Sequence, residues 1–367
     1  MLKGFDRRLM EHFDWPIMWL VVTISIIGLF NLYSATFNLP SSKYFFSQLY
    51  WLLMAIAVVL LTISVDYRVL ERIAYPLYVV LLLLLVFVLI KGRYISGSRR
   101  WIDLGIFSFQ PSELAKIVVI LAMAKYLQSR EKVQSMGMLE LILPAGLSCA
   151  IAVSILLEPD LGTAMLIVLI SFSMLLIAGI RWKTFVALVI AFSVIVPISW
   201  MFILKDYQKQ RVYGFLNPEK DPLGAGYQVI QSKIAVGSGL LFGKGYLEGT
   251  QSKLQFLPKQ HTDFIMSNYS EEWGFFGSTV LLLLFGTFLF KCLSVAFNAK
   301  EKFGSLLAFG LCAFFFWQIF INIGMELGML PVVGMTLPFF SYGGSSMITN
   351  MIAVGLVLNI SMRRYMF

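Results

Sequence analysis

Charge is scarce in this chain. Charged residues fill 13% of its 367 positions and hydrophobic residues 59%, whereas a soluble domain carries about 25% charged residues. So little polar material cannot cover a globule, which excludes an ordinary soluble fold and leaves most of the surface facing lipid. Cysteine is sparse too. Cys149, Cys292 and Cys312 stand in or beside apolar runs without paired spacing, which excludes a disulfide framework and a cysteine metal site. Two histidines, His12 and His261, are too few for a histidine-rich metal centre. The charged N-terminal segment lacks an A-x-A-like cleavage site, so residues 1–15 are expected to remain as a cytoplasmic segment. No solenoid-type repeat is evident. The net charge is +9, but no aromatic-interleaved basic stripe accompanies it. That excludes a nucleic-acid surface and points to membrane lipid headgroups.

What is present is a series of long apolar runs. A helix crossing the hydrocarbon core needs about 20 apolar residues. Such runs lie near 16–36, 45–65, 73–90, 112–128, 139–157, 162–180, 183–203, 268–291, 304–325 and 344–362. The expected fold is therefore all-α, a polytopic integral membrane protein of about ten transmembrane helices forming a single domain over 1–367. The run at 112–128 is the weakest, because Glu113 and Lys116 sit near its start. The short stretch Glu158-Pro159-Asp160-Leu161 predicts a tight hairpin between spans five and six.

Lys/Arg bias orients the set. With the N-terminus inside, inner loops hold Lys3, Arg7, Arg8, Arg68, Arg72, Lys125, Arg130, Lys132, Arg181, Lys183, Arg363 and Arg364, among others. Short outer loops hold only Lys43, Lys91, Arg93, Arg99 and Arg100. Both termini are then cytoplasmic, in the cytoplasmic (inner) membrane of the cell.

The stretch 204–267, between spans seven and eight, is expected to be a large extracytoplasmic loop that carries the active site. Loops of that length are functional or disordered, and Tyr213, Phe215, Tyr227, Phe242, Tyr246 and Phe256 argue for order. Tyr227, Ile230, Ile234 and Ala235 recur at helical spacing, which predicts a short amphipathic surface helix.

Ionisable groups at membrane depth are functional hypotheses. Glu113 and Lys116 share a helix face, either as a self-neutralising pair or with Lys116 facing an anionic substrate. Asp160 either caps the next helix or serves the site. Asp263 stands where the polar loop meets span eight, beside His261 and near Glu271 and Glu272. It, or Thr262, could cap that helix, or its carboxylate could act as a general base. Arg211, Lys233, Lys244, Lys253 and Lys259 either solvate the loop or clamp a phosphate or pyrophosphate. The residues by themselves lead to an outer-face site for an anionic amphiphile.

Longer motifs go further. Phe13-Asp14-Trp15, Arg99-Arg100-Trp101-Ile102, Phe109-Gln110-Pro111-Ser112-Glu113-Leu114-Ala115-Lys116 and Glu158-Pro159-Asp160-Leu161-Gly162-Thr163-Ala164 come in order. Asp221-Pro222-Leu223-Gly224-Ala225-Gly226-Tyr227-Gln228, Gln231-Ser232-Lys233-Ile234-Ala235, His261-Thr262-Asp263-Phe264 and Pro338-Phe339-Phe340-Ser341-Tyr342-Gly343-Gly344-Ser345-Ser346 follow. With these motifs the chain resembles the SEDS (shape, elongation, division and sporulation) family nearly end to end. Its length, short N-terminus and Phe5-Asp6-Arg7-Arg8 opening resemble the members that serve cell elongation.

The resemblance implies a peptidoglycan glycosyltransferase that polymerises lipid II into β-1,4-linked strands by inverting transfer. It places the essential carboxylate at Asp263 and extends the substrate-binding set to Glu113, Lys116, Asp160, Arg211, Lys233, Gln228, His261 and Thr262. It implies a 1:1 membrane complex with a class B penicillin-binding protein, a transpeptidase, alongside other elongation-machinery proteins. Asp263 could act as base or as ligand to a divalent cation, Mg2+ or Mn2+. Lys259 and Leu240-Leu241 depart from the family's pattern beside the site. A lipid II flippase and a non-catalytic scaffold are the rival readings.

Overall fold

In a computed structural model the described residues are 11–38, 43–95, 98–103, 105, 108–130, 136–202, 206–218 and 224–364. Lys3, the Phe5–Arg8 opening, Lys132 and the Asp221–Leu223 stretch lie outside them. Eight helices are long and apolar enough to cross a membrane: α1 (Trp15–Thr36), α2 (Lys43–Ser64), α3 (Tyr67–Lys91), α5 (Met138–Leu157), α6 (Leu161–Ala178), α11 (Ile265–Asn298), α12 (Lys302–Glu326) and α13 (Gly344–Arg363). The other two expected runs also form helices, α4 (Pro111–Gln128) and α7 (Trp182–Phe202), but neither is among those eight. The chain is thus an all-α, multi-pass membrane protein. The small elements between spans are β1 (Arg93–Ile95), β2 (Ser98–Asp103), β3 (Ser108–Phe109), α8 (Asp206–Leu216), α9 (Ala225–Ser238) and α10 (Thr250–Lys253).

Buried area concentrates on α12, α13 and α4. Within the most apolar windows, 72% of α12 and 78% of α13 are buried. Polar and charged residues on α4 are tolerated because this helix runs inside the bundle, packed on α3, α5, α6, α12 and α13. Its buried residues Ala115, Ile117, Val119, Ile120 and Ala122 run round the helix, as expected of an element enclosed by others.

Three features depart from the expectations. The segment after α3 forms a small antiparallel sheet in the order β1-β2-β3. Helix α11 begins before residue 268, and Gly274 (φ 63, ψ −160) breaks it. The loop runs into that break, where Phe275 N–H donates to Leu240 O at 2.9 Å and Phe276 N–H to Leu241 O at 3.1 Å. Only glycine adopts such a φ without strain. Finally, the surface helix is real but its buried face differs. Val229, Ser232 and Ala235 are buried while Ile234 is 45% exposed. Small residues let α9 pack closely on α11 and α12, so closeness of approach decided its orientation, not side-chain bulk.

Candidate active site

The α12–α13 connection, residues 327–343, meets Asp263, His261, Lys233 and Arg211. Gln318 and Asn322 on α12 hold it. Asn322 Nδ2 donates to Met335 O at 2.7 Å and to Asp263 O at 3.1 Å, and Gln318 Nε2 donates to Thr336 O at 2.9 Å. From the other side, Gln48 Nε2 on α2 donates to Ser341 O at 3.1 Å and its Oε1 accepts from Gly343 N–H at 3.2 Å. One amide side chain therefore ties the Asp263 backbone to the connecting loop.

Asp263 is 7% exposed. Its carboxylate faces Gly334 (φ +75), where an added Cβ would stand 3.5 Å from Oδ2. Lys259 Nζ, four residues back, lies 3.6 Å from the same oxygen. Neither Thr262 nor Asp263 caps α11. Its N-cap is Phe264, without a side-chain cap bond. The cap comes from the far end of α12, where the Glu326 carboxylate accepts from Met266 N–H at 3.3 Å, Ser267 N–H at 2.5 Å and Ser267 Oγ at 2.6 Å. Asp263 is left with its carboxylate turned toward the loop.

Two cations reach the same segment. The Lys233 side chain lies over Gly328, and Arg211 Nη1 donates to Val332 O at 3.3 Å. Gly162, just after Asp160, closes the floor, since a Cβ there would meet Val333 O at 3.0 Å. Tyr342 N–H donates to His261 O at 3.0 Å, and the His261 ring sits 4.9 Å from that of Tyr44. Burial lowers the His261 pKa, opposed by Asp263 and assisted by Lys259, so the imidazole is neutral at pH 7. Gln228 on α9 and Thr262, next to His261 in the chain, are half-buried.

Other predicted residues sit elsewhere. Lys116 Nζ pairs with Glu113 Oε2 at 2.7 Å and lies 5.0 Å from the centre of the Phe314 ring. Phe314 and Asn322 are separated by about 12 Å along α12, so this ion pair lies deeper than Asp263 and neutralises itself. Asp160 does cap α6, accepting from Thr163 N–H at 3.2 Å and Thr163 Oγ1 at 3.0 Å. Arg100 on β2 joins it at 3.8 Å and donates Nε to Glu158 O at 3.0 Å, which docks the small sheet on the α5–α6 turn.

Glu271 and Glu272 do not serve Asp263. Glu271 accepts from Lys244 Nζ at 2.6 Å and Thr250 N–H at 2.9 Å, and Glu272 from Ser34 Oγ. They anchor the 244–251 loop. The residues missed in the sequence, Gln318, Asn322 and Glu326, fall four apart along α12. Polar side chains at that spacing inside an apolar helix mark an interhelical contact, and that signal was available.

Among the described residues no three His, Cys, Asp or Glu side chains cluster to hold a metal ion. Asp263 offers a single carboxylate there, a donor set suited to Mg2+ only when substrate phosphates supply further ligands.

Residues 15–366 match the profile of the FTSW_RODA_SPOVE cell cycle protein family. The peptidoglycan glycosyltransferase MrdB of Escherichia coli (strain K12) is 42% identical over 85% of this chain and 84% of its own length. The probable peptidoglycan glycosyltransferase FtsW of Hydrogenovibrio crunogenus is 37% identical over 95% and 92%. A solved chain from a peptidoglycan synthase complex that coordinates polymerization and crosslinking superposes with a TM-score of 0.84, at 37% identity over 97% of this chain and 99% of that one. The crystal structure of the Thermus thermophilus rod shape determining protein RodA gives 0.72, at 31% identity over 96% and 98%. With a profile match across nearly its whole length and relatives well above 30% identity, this chain belongs to the FtsW/RodA/SpoVE (SEDS) family.

Proposed function

We propose that the chain is a peptidoglycan glycosyltransferase that polymerises lipid II at the outer face of the cytoplasmic membrane. The observation that carries the reading is the buried Asp263 carboxylate, turned toward the α12–α13 loop with Lys259, Lys233 and Arg211 around the same segment. The names of the MrdB and FtsW relatives support it.

The acceptor is a neutral sugar hydroxyl with a very high pKa, and the donor carries undecaprenyl pyrophosphate. Asp263 takes the proton of the C4 hydroxyl as its oxygen bonds to the anomeric carbon, a role worth about 10²–10⁴ in rate. The carbon–oxygen bond to the pyrophosphate breaks with its electrons going to the leaving group. Arg211 and Lys233 stabilise that charge. Displacement inverts an α-linked centre to give a β-1,4 linkage. A bound Mg2+ or Mn2+ would take Asp263 as its protein carboxylate and share the neutralisation of pyrophosphate charge.

The topology follows from the Lys/Arg bias, with both termini cytoplasmic and the 204–267 stretch outside, all within one membrane domain. The partner is a class B penicillin-binding protein in a 1:1 complex. An apolar groove of about 330 Å³ between α11 and α12, lined by Phe285, Gly286, Leu289 and Phe320, suits its membrane helix. The self-neutralised Glu113–Lys116 pair weighs against a flippase, which needs charge that can be exposed alternately through the bilayer depth. Purified protein in liposomes, given labelled lipid II, should form glycan strands without accelerating dithionite quenching of inner-leaflet label. Flipping without strand formation would establish the rival.

A further inference from the structure

Far from Asp263, α3, α4 and α5 enclose a cleft of about 540 Å³ at the opposite end of the bundle. Its walls are Leu139, Ile142, Leu143 and Leu147, and its rings are Tyr78 and Tyr126. Both ring hydroxyls already donate to backbone, Tyr78 Oη to Leu147 O at 2.7 Å and Tyr126 Oη to Glu140 O at 2.7 Å. Gly146 opens the wall, because an added Cβ would meet nothing within 4 Å. The single charged residue lining the cleft is Arg130, at the C-terminal end of α4, whose guanidinium stands 5.4 Å from the centre of the Tyr126 ring. No carboxylate pairs with it among the described residues.

We propose that this cleft binds one anionic phospholipid of the cytoplasmic leaflet, with the phosphate on Arg130 and an acyl chain lying over Gly146. Length selects this occupant. From Leu139 to Leu147 the cleft runs about 12 Å along α5, close to the roughly 15 Å depth of one leaflet. A partner's transmembrane helix needs the full bilayer, and this cleft stops halfway. Charge selects it too. Arg130 supplies the positive charge that draws an anionic headgroup, and no polar group deeper in the cleft competes with an acyl chain. Sidedness rests on the topology proposed above, whereas binding itself does not.

Native mass spectrometry of the full chain in detergent, titrated with equimolar dioleoyl phosphatidylglycerol and dioleoyl phosphatidylcholine, tests it. The phosphatidylglycerol adduct should exceed the phosphatidylcholine adduct by about fivefold, the effect of one basic residue facing anionic headgroups. Arg130→Ala should erase that preference and Arg130→Lys keep most of it, while Gly146→Leu, which fills the cleft, should lower both adducts. Equal adducts in the wild type would overturn the proposal, as would a preference unchanged in both Arg130→Ala and Gly146→Leu. A copurifying polypeptide released by Gly146→Leu, with phosphatidylglycerol occupancy unaffected, would replace the lipid with a protein occupant. Cysteine labelling at position 130 from either side tests the topology separately.

Discussion

Glu158 is the buried group whose ionisation the fold opposes most plainly outside the spans. It is 1% exposed, and neither carboxyl oxygen has a hydrogen-bond partner. Burial, reinforced by Asp160 and opposed by Arg100, pushes its pKa up to about 8. The folded state therefore holds a proton that the unfolded chain, near 4.5, gives up. Its stabilising contribution is complete below about pH 4.5, falls as pH rises, and is exhausted above about pH 8. At about 1.4 kcal/mol per pH unit across that window, the loss amounts to roughly 4–5 kcal/mol as an upper figure. Glu158→Gln removes the ionisation and keeps the shape. Thermal melts of both proteins in detergent at pH 5, 7 and 9, followed by tryptophan fluorescence, should show the variant gaining several degrees on the wild type as pH rises. The difference at pH 5 measures amide against acid; only its growth with pH measures ionisation. A constant gap from pH 5 to 9 would refute the reasoning.

Glu326→Ala orphans Met266 N–H, Ser267 N–H and Ser267 Oγ at the start of α11. It should cost about 2–4 kcal/mol, read as a lower melting temperature. Lys116→Ala leaves the largely buried Glu113 carboxylate, 12% exposed, without its cation and should cost about 2–4 kcal/mol, whereas the paired change Glu113→Leu with Lys116→Met should restore stability. If the paired variant melts like the wild type yet makes no glycan, Lys116 serves substrate after all. Gly334→Ala places a methyl 3.5 Å from Asp263 Oδ2 on a left-handed backbone and costs about 1–2 kcal/mol of strain. Strand synthesis should fall well beyond the accompanying loss in melting temperature.

The eight apolar spans were legible because a long apolar run has few alternatives in a bilayer. The Asp160 cap was legible because it joins residues three apart. What escaped depends on pairing between distant segments. Nothing near residue 263 reveals that Asn322 will hold its carbonyl, or that Glu326 rather than Thr262 will cap α11. The exposed Ile234 escaped for a related reason: the helical spacing was correct, but Val229, Ser232 and Ala235 fit closer to α11 and α12. The spacing of Glu113 and Lys116 left an ion pair and a substrate contact equally open; the pair forms, beside Phe314 at a depth that no local sequence signal carries.

Asp263→Asn is the most direct trial of the mechanism, since the amide fills the same space but cannot accept the hydroxyl proton. With purified lipid II, the variant should retain the wild-type melting temperature and lose strand synthesis by at least about 10²-fold. Chain lengths and rates matching the wild type would contradict the assignment of Asp263 as the base.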